Sequence, residues 1–122
     1  MNFVPGMLSV QQGRSHLKLS GCEVEVELGQ VYGQQGPVMA GIRPEHWQMA
    51  AGDRAGAMSA RVELLEPTGA DTFATLSVGD QRVSMRFASS AAPAVGAALK
   101  VALDVQAISL FDPATQVRLS PA

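Results

Sequence analysis

The stretch Gly41-Ile42-Arg43-Pro44-Glu45-His46-Trp47 separates two parts of the chain that both show strand-like patterning. An apolar run stops just before Pro44. Because proline has no N–H to donate to a central ladder, this strand ends there or lies at an edge of its sheet. The opposite charges of Arg43 and Glu45 flank the turn. We therefore predict two strand-rich halves, joined over residues 41–57.

The length and composition indicate a single domain with a core of its own. A chain of 122 residues buries roughly two-thirds of its extended surface, which is enough for a core without covalent staples. We assign residues 1–122 to one domain, with subhalves at 1–47 and 58–122. Hydrophobic residues make up 47% of the chain and charged residues only 16%. This balance suggests a surface that a partner covers, although abundant alanine also raises the apolar share.

The charge and the single cysteine narrow the possible partners and compartment. A net charge of −2 provides no basic field to attract nucleic acid. Cys22 cannot form an intramolecular disulfide by itself, which fits a reducing compartment. The sequence shows neither a run approaching the roughly 18 apolar residues of a spanning helix nor the start of a signal peptide. We predict a cytosolic protein.

The clearest period-two segment of the first half covers residues 23–28. Its apolar positions share one face and its three glutamates share the other: Val24, Val26 and Leu28 against Glu23, Glu25 and Glu27. Such an acidic row could bind a hard cation. More often it is a solvated face that also prevents edge-to-edge pairing, and we favour that interpretation.

The second half is patterned more strongly. Residues 72–78 and 81–87 both alternate, and Gly79-Asp80 separates them by the two residues of a tight primed turn, which predicts a hairpin. Earlier, Ala60, Val62 and Leu64 are expected to share a face, and Leu65 breaks the phase, which suggests a bulge before Pro67.

Helical periodicity is not sustained over ten residues anywhere in the chain. The helix candidates are one turn after Pro44 and residues 90–98, where Pro93 is unfavourable. Short strands at regular spacing with glycine-rich turns predict an all-β, OB-fold-like antiparallel fold, either one β-barrel or two small barrels that share a core.

The sequence offers little for catalysis or for cofactor and metal binding. A phosphate-binding P-loop needs a lysine directly after glycine, whereas Lys18 and Lys100 both follow leucine. His16, Cys22 and His46 show none of the short spacings typical of metal ligands. We expect no catalytic residues, cofactor or metal.

The junction itself contains the most distinctive side chains. Arg43 and Glu45 could recognise a partner, since an exposed ion pair contributes only about 0 to 1 kcal/mol to stability. Alternatively, a half-buried Arg43 could satisfy backbone carbonyls, which we consider the better structural explanation. Trp47 is either a core residue or an interface anchor, and the sequence does not separate these alternatives.

Four segments, taken in order, resemble one family. Residues 41–46 look like the GIRPEH segment of sugar-type ABC importer ATPase subunits, within their C-terminal transport-associated OB domain. Residues 1–6 are similar to MNFLPG, residues 62–72 to V-x-x-x-E-x-L-G-x-E-T, and residues 110–119 to HLFD-x-x-T-G-x-R-L.

This resemblance implies a fold and a role. In the family, this domain folds as OB-like β-barrels, does no chemistry, holds two ATPase subunits together across a two-fold axis and in some members receives regulatory proteins. The chain would thus be a non-catalytic regulatory and dimerisation domain for uptake of a sugar or related organic solute. The ATPase domain would be absent from these residues, and Met1 would be internal to a longer subunit or the start of a truncated or stray reading frame.

The resemblance also implies partners and an interface. The partners would be a second copy, the parent ATPase domain, a membrane permease contacted indirectly and a regulatory protein, in the cytoplasm at the inner face of the membrane. The interface candidates are Arg43, Glu45, His46, Trp47 and Phe111. Trp47, Ser109 and Gln116 stand where the family usually has leucine, histidine and glycine.

Three other functions compete with this one. A free-standing oxyanion-binding barrel of the molybdate or sulfate type would need Ser/Thr hydroxyls and backbone N–H groups that converge at a subunit interface. A nucleic-acid-binding OB module is disfavoured by the acidic charge and the scattered aromatics. An enzymatic function has no support, because the sequence shows no set of residues arranged as in a catalytic site.

Overall fold

A computed structural model describes residues 1–121 of the chain. Their strands form two antiparallel five-stranded sheets, which confirms the all-β, OB-like prediction. The strands are β1 (Asn2–Gln11), β2 (Arg14–Leu19), β3 (Glu25–Glu27), β4 (Gly36–Ile42), β5 (Trp47–Met49), β6 (Met58–Pro67), β7 (Asp71–Val78), β8 (Gln81–Ala88), β9 (Ala98–Leu103) and β10 (Ser109–Phe111).

The first sheet has the strand order β10-β4-β1-β2-β3, and the second has the order β5-β9-β6-β7-β8. Most of each sheet comes from one half of the sequence. The exception is β10, which returns to the first sheet and pairs Ser109 with Gly41 and Phe111 with Met39 of β4. The last strand therefore lies beside a strand formed some seventy positions earlier in the chain.

Two-residue turns close two of the hairpins. The predicted hairpin at Gly79-Asp80 is present, with Val78 of β7 paired to Gln81 of β8. A second one joins β1 to β2 through Gln12 and Gly13, whose φ angles of +53° and +75° are those of a primed turn. Such turns match the twist of the strands and fix the register on both sides.

The chain passes from the first sheet to the second through a single 3₁₀ turn, Pro44–His46. This is the turn expected after Pro44, and Arg43 before it is extended, as a residue preceding proline should be. The second helix candidate, residues 90–98, is reduced to the short turn Ser89–Ala91. Another short turn, Val105–Ala107, precedes β10.

The bulge predicted in β6 before Pro67 is present, but the predicted face of Leu64 was wrong. The register with β7 shifts between Val62 and Leu64, so Glu63 is the extra residue and the phase changes before Leu64 instead of at Leu65. One inserted residue reverses the faces that follow it. Leu64 is therefore 51% exposed instead of sharing the buried face of Ala60 and Val62.

The inward faces of both sheets share one apolar cluster within residues 1–121. Leu8, Leu17 and Ile42 of the first sheet and Leu76 and Val101 of the second all belong to it. The sheets also touch through their turns, because the N–H of Asp80 donates to the carbonyl of Ser20 at 3.3 Å and the Ser20 hydroxyl donates to the Asp80 carboxylate at 3.1 Å. In the part of the chain described, no helix has the length and apolar character needed to cross a membrane.

Candidate partner-binding surface

The outer side of the first sheet is unusually apolar for a surface. Along β1, Val4 and Leu8 point inward, so the alternate residues Phe3, Pro5 and Met7 point outward. Strand pairing places these beside the outward residues of β4 and β10. We call this surface the apolar face; it consists of Met1, Phe3, Pro5, Met7, Pro37, Met39 and Phe111.

The centre of the apolar face is built around Gly41. The rings of Phe3 and Phe111 meet edge to face, with centroids 5.9 Å apart and planes at 64°. A Cβ atom on Gly41 would lie 2.8 Å from the Met1 sulfur and 3.0 Å from Cε2 of Phe111. Glycine at this position therefore allows side chains from β1 and β10 to approach each other across β4.

Beside this aromatic pair lies an open cleft of about 390 Å³. Its lining residues are Phe3, Met39, Phe111, Asp112, Pro113 and Gln116. The turn after β10 forms one wall, and Gln116 there adopts a φ of +63°, a left-handed conformation that favours glycine. This explains physically why glycine suits that turn position, where this chain has glutamine.

The same turn is held by Asp112. Its carboxylate accepts hydrogen bonds from the N–H groups of Ala114 at 2.8 Å and Thr115 at 3.0 Å. These bonds, that of Thr115 foremost, hold the pKa of Asp112 below its usual value because they favour the charged form. Part of the cleft wall is thus fixed by a local network of the Asx type.

The rim of the apolar face carries charges of both signs, because Lys18 of β2 stands opposite the exposed Glu25 of β3 on the same side of the sheet. Lys18 of β2 is the register partner of Met7, and Arg118 forms an isolated bridge to Phe111. Arg43 follows the inward Ile42 in extended conformation, so it lies on the outward side, like Gly41. Across residues 1–121 the one salt bridge joins Arg14 to Glu27. None of the three rim cations therefore has a carboxylate within ion-pair distance there.

The five interface candidates lie on different elements of the fold. Phe111 lies in the apolar face and Arg43 at its rim. Glu45 and His46 belong to the 3₁₀ turn, which contacts β8 of the second sheet. The pKa of Glu45 is lowered, chiefly by a hydrogen bond from its own backbone amide, and Arg86 of β8 lowers it further.

Trp47 is a core residue, which resolves the alternative left open by the sequence. Its side chain is only 3% exposed and lies in the apolar cluster shared by both sheets. As the first residue of β5 it pairs with Leu103 of β9. It is therefore not an exposed anchor, although its indole N–H is buried without a hydrogen-bond partner in residues 1–121.

The residues considered as metal ligands do not come together. Within the described part of the chain, no group of three His, Cys, Asp or Glu side chains could hold a metal ion. Of the acidic row, Glu25 and Glu27 lie along β3 at the sheet edge, where Glu27 pairs with Arg14 and Glu25 accepts a hydrogen bond from Gln11. These contacts match the solvated edge that we favoured.

Sequence reasoning found Phe111 but missed Phe3, Met7 and Met39, which complete the apolar face. The sequence carried no signal for the side they face, because residues 3–8 are all apolar, proline or glycine and show no polar–apolar alternation; their alternate exposure is seen only in the structure. Once β1 is recognised as a strand, Phe3, Pro5 and Met7 necessarily share the side opposite the core.

Comparison with known proteins now identifies the family. A family model described as "TOBE domain" matches residues 40–111, which include Gly41 and Phe111 at the centre of the apolar face. The chain belongs to the TOBE domain family. The TOBE match covers the GIRPEH-like segment, the transition between the sheets and all five strands of the second sheet.

Several relatives of this TOBE domain are much longer proteins. An sn-glycerol-3-phosphate import ATP-binding protein UgpC from Chromobacterium violaceum is 41% identical over 83 residues, covering 68% of this chain and 22% of the relative. UgpC from Salmonella typhi is 33% identical over 120 residues, covering 98% of this chain and 33% of the relative. A sulfoquinovosyl glycerol transport ATP-binding protein SmoE from Agrobacterium fabrum is 36% identical over 80 residues, covering 65% of this chain and 22% of the relative. The chain spans a third or less of these relatives.

Proposed function

We propose that this TOBE domain is the non-catalytic C-terminal regulatory and dimerisation domain of an ATP-binding subunit of an ABC importer for a sugar or related organic solute. The observation that carries the proposal is the alignment of 98% of the chain with a third of an import ATP-binding protein. Through its parent subunit the domain would act at the cytoplasmic side of the membrane, next to a permease.

The chemistry of the domain supports a role without catalysis. Both lysines follow leucine, so the sequence cannot form the P-loop that holds nucleotide phosphates. Cys22 is buried, and burial raises the pKa of its thiol, which disfavours the reactive thiolate. Nucleotide hydrolysis would belong to another part of the parent subunit.

The outer side of the second sheet supports dimerisation. It combines the exposed Leu64 with charges of both signs: Arg61, Arg82, Arg86 and Lys100 against Glu63 and Glu66. A two-fold contact uses the same patch on both copies. A patch that carries both positive and negative side chains can therefore pair an arginine of one copy with a glutamate of the other. We expect a weak dimer with a dissociation constant of about 1 µM or higher, since a small interface must offset the cost of association.

Sedimentation over a concentration series tests this dimer. Leu64→Glu should shift the protein toward monomer, whereas Val31→Ser, at another exposed apolar position, should leave association unchanged. A wild-type chain that remains monomeric at its highest attainable concentration would refute the dimerisation role.

A domain exchange tests the importer assignment. The corresponding C-terminal segment of UgpC from Chromobacterium violaceum would be replaced by this chain, and glycerol-3-phosphate uptake measured in cells that lack their own subunit. Restored uptake is expected, with the intact relative as positive control and the relative without its C-terminal segment as negative control. A chimera that accumulates to the level of the intact relative yet supports no uptake above the deletion would contradict the assignment.

The oxyanion-binding alternative also has one favourable observation. A shallow cleft of about 440 Å³ between β6 and β9 is lined by Ser59, Arg61, Ser77 and Lys100. Lys100 already donates to the Ser59 hydroxyl at 2.7 Å. Saturable binding of molybdate, tungstate or sulfate in titration calorimetry would favour this alternative; absence of heat at two well-separated temperatures, together with an unchanged midpoint of thermal unfolding, would argue against it.

A further inference from the structure

We draw no further inference here: the strongest candidate, the apolar face on the outer side of the first sheet, combines exposed aromatic and methionine side chains with charges of both signs at its rim, and nothing in residues 1–121, which the structure describes, shows what covers it.

Discussion

The side chain of Asn2 pairs with the backbone of Ser84 as a further strand residue would. Its amide nitrogen donates to the Ser84 carbonyl at 2.8 Å, and its carbonyl oxygen accepts from the Ser84 N–H at 2.9 Å. Asn2 begins β1 in the first sheet, whereas Ser84 lies in β8 at the edge of the second. Two hydrogen bonds therefore join the sheets and cover part of an otherwise open strand edge.

Removing this connection should destabilise the whole domain. We expect Asn2→Ala to lower the free energy of unfolding by about 1 to 3 kcal/mol, because the partly buried N–H and carbonyl of Ser84 lose their partners. Asn2→Asp keeps the acceptor but loses the donor. Urea denaturation followed by circular dichroism measures both, with exposed Gln34→Ala as control. If the free energy of unfolding falls no more for Asn2→Ala than for Gln34→Ala, the connection contributes nothing to stability.

A side chain at Gly41 should disturb the aromatic pair. A Cβ atom there lies 2.8 Å from the sulfur of the flexible Met1 side chain and 3.0 Å from the Phe111 ring, so Gly41→Ala must move Met1 and shift the ring slightly. We expect a loss of about 1 kcal/mol from overpacking, with the larger Gly41→Val worse. Gly29→Ala is the matched control, because no heavy atom lies within 4 Å of the added Cβ. Equal midpoints of thermal unfolding for the two alanine variants would contradict this.

Trp47 should behave as a core residue. Trp47→Ala is expected to cost about 3 to 5 kcal/mol of stability through the cavity that it leaves, and to unfold much of the domain at ambient temperature. Trp47→Phe should cost less, since it keeps most of the apolar volume and removes an indole N–H that is buried without a partner. A folded Trp47→Ala variant with weakened association would instead restore the interface assignment.

The turn that walls the cleft should loosen in acid. The pKa of Asp112 in the folded protein lies below its ordinary value, because the amides of Thr115 and Ala114 bind the charged carboxylate. Its contribution to stability is therefore complete above about pH 4 and is lost as the pH falls through the lowered pKa. Amide chemical shifts of Ala114 and Thr115 should titrate together there. Asp112→Asn should abolish that titration; its persistence would assign it to another group.

The strand pattern predicted the second sheet well, because turn and alternation agree there. Gly79-Asp80 between two alternating runs leaves one register, and the structure has it. The sequence could not locate the bulge at Glu63, because Leu64 and Leu65 are both apolar and either could occupy the inward position. Which residue is the extra one depends on how β6 pairs with β7. The local alternation of apolar and polar residues does not reveal this pairing.

The candidate surface was only partly predictable for a related reason. Phe111 came from the family resemblance, whereas Phe3 and Met39 could be grouped with it only once β10 was known to lie beside β4. That pairing joins strands from the two halves of the sequence, and no local sequence pattern predicts it. Trp47 could not be assigned to the core from type alone, since tryptophan is common both in interiors and at contacts.

The return of β10 to the first sheet has a consequence for how the protein is made. As the chain leaves the ribosome, β4 has an unpaired edge until Ser109–Phe111 emerge, long after the second sheet has been synthesised. The first sheet thus reaches its full width only after the whole of the second sheet has been synthesised. A product truncated before β10 would expose the edge of β4 and inner apolar surface, which marks it for proteases and chaperones.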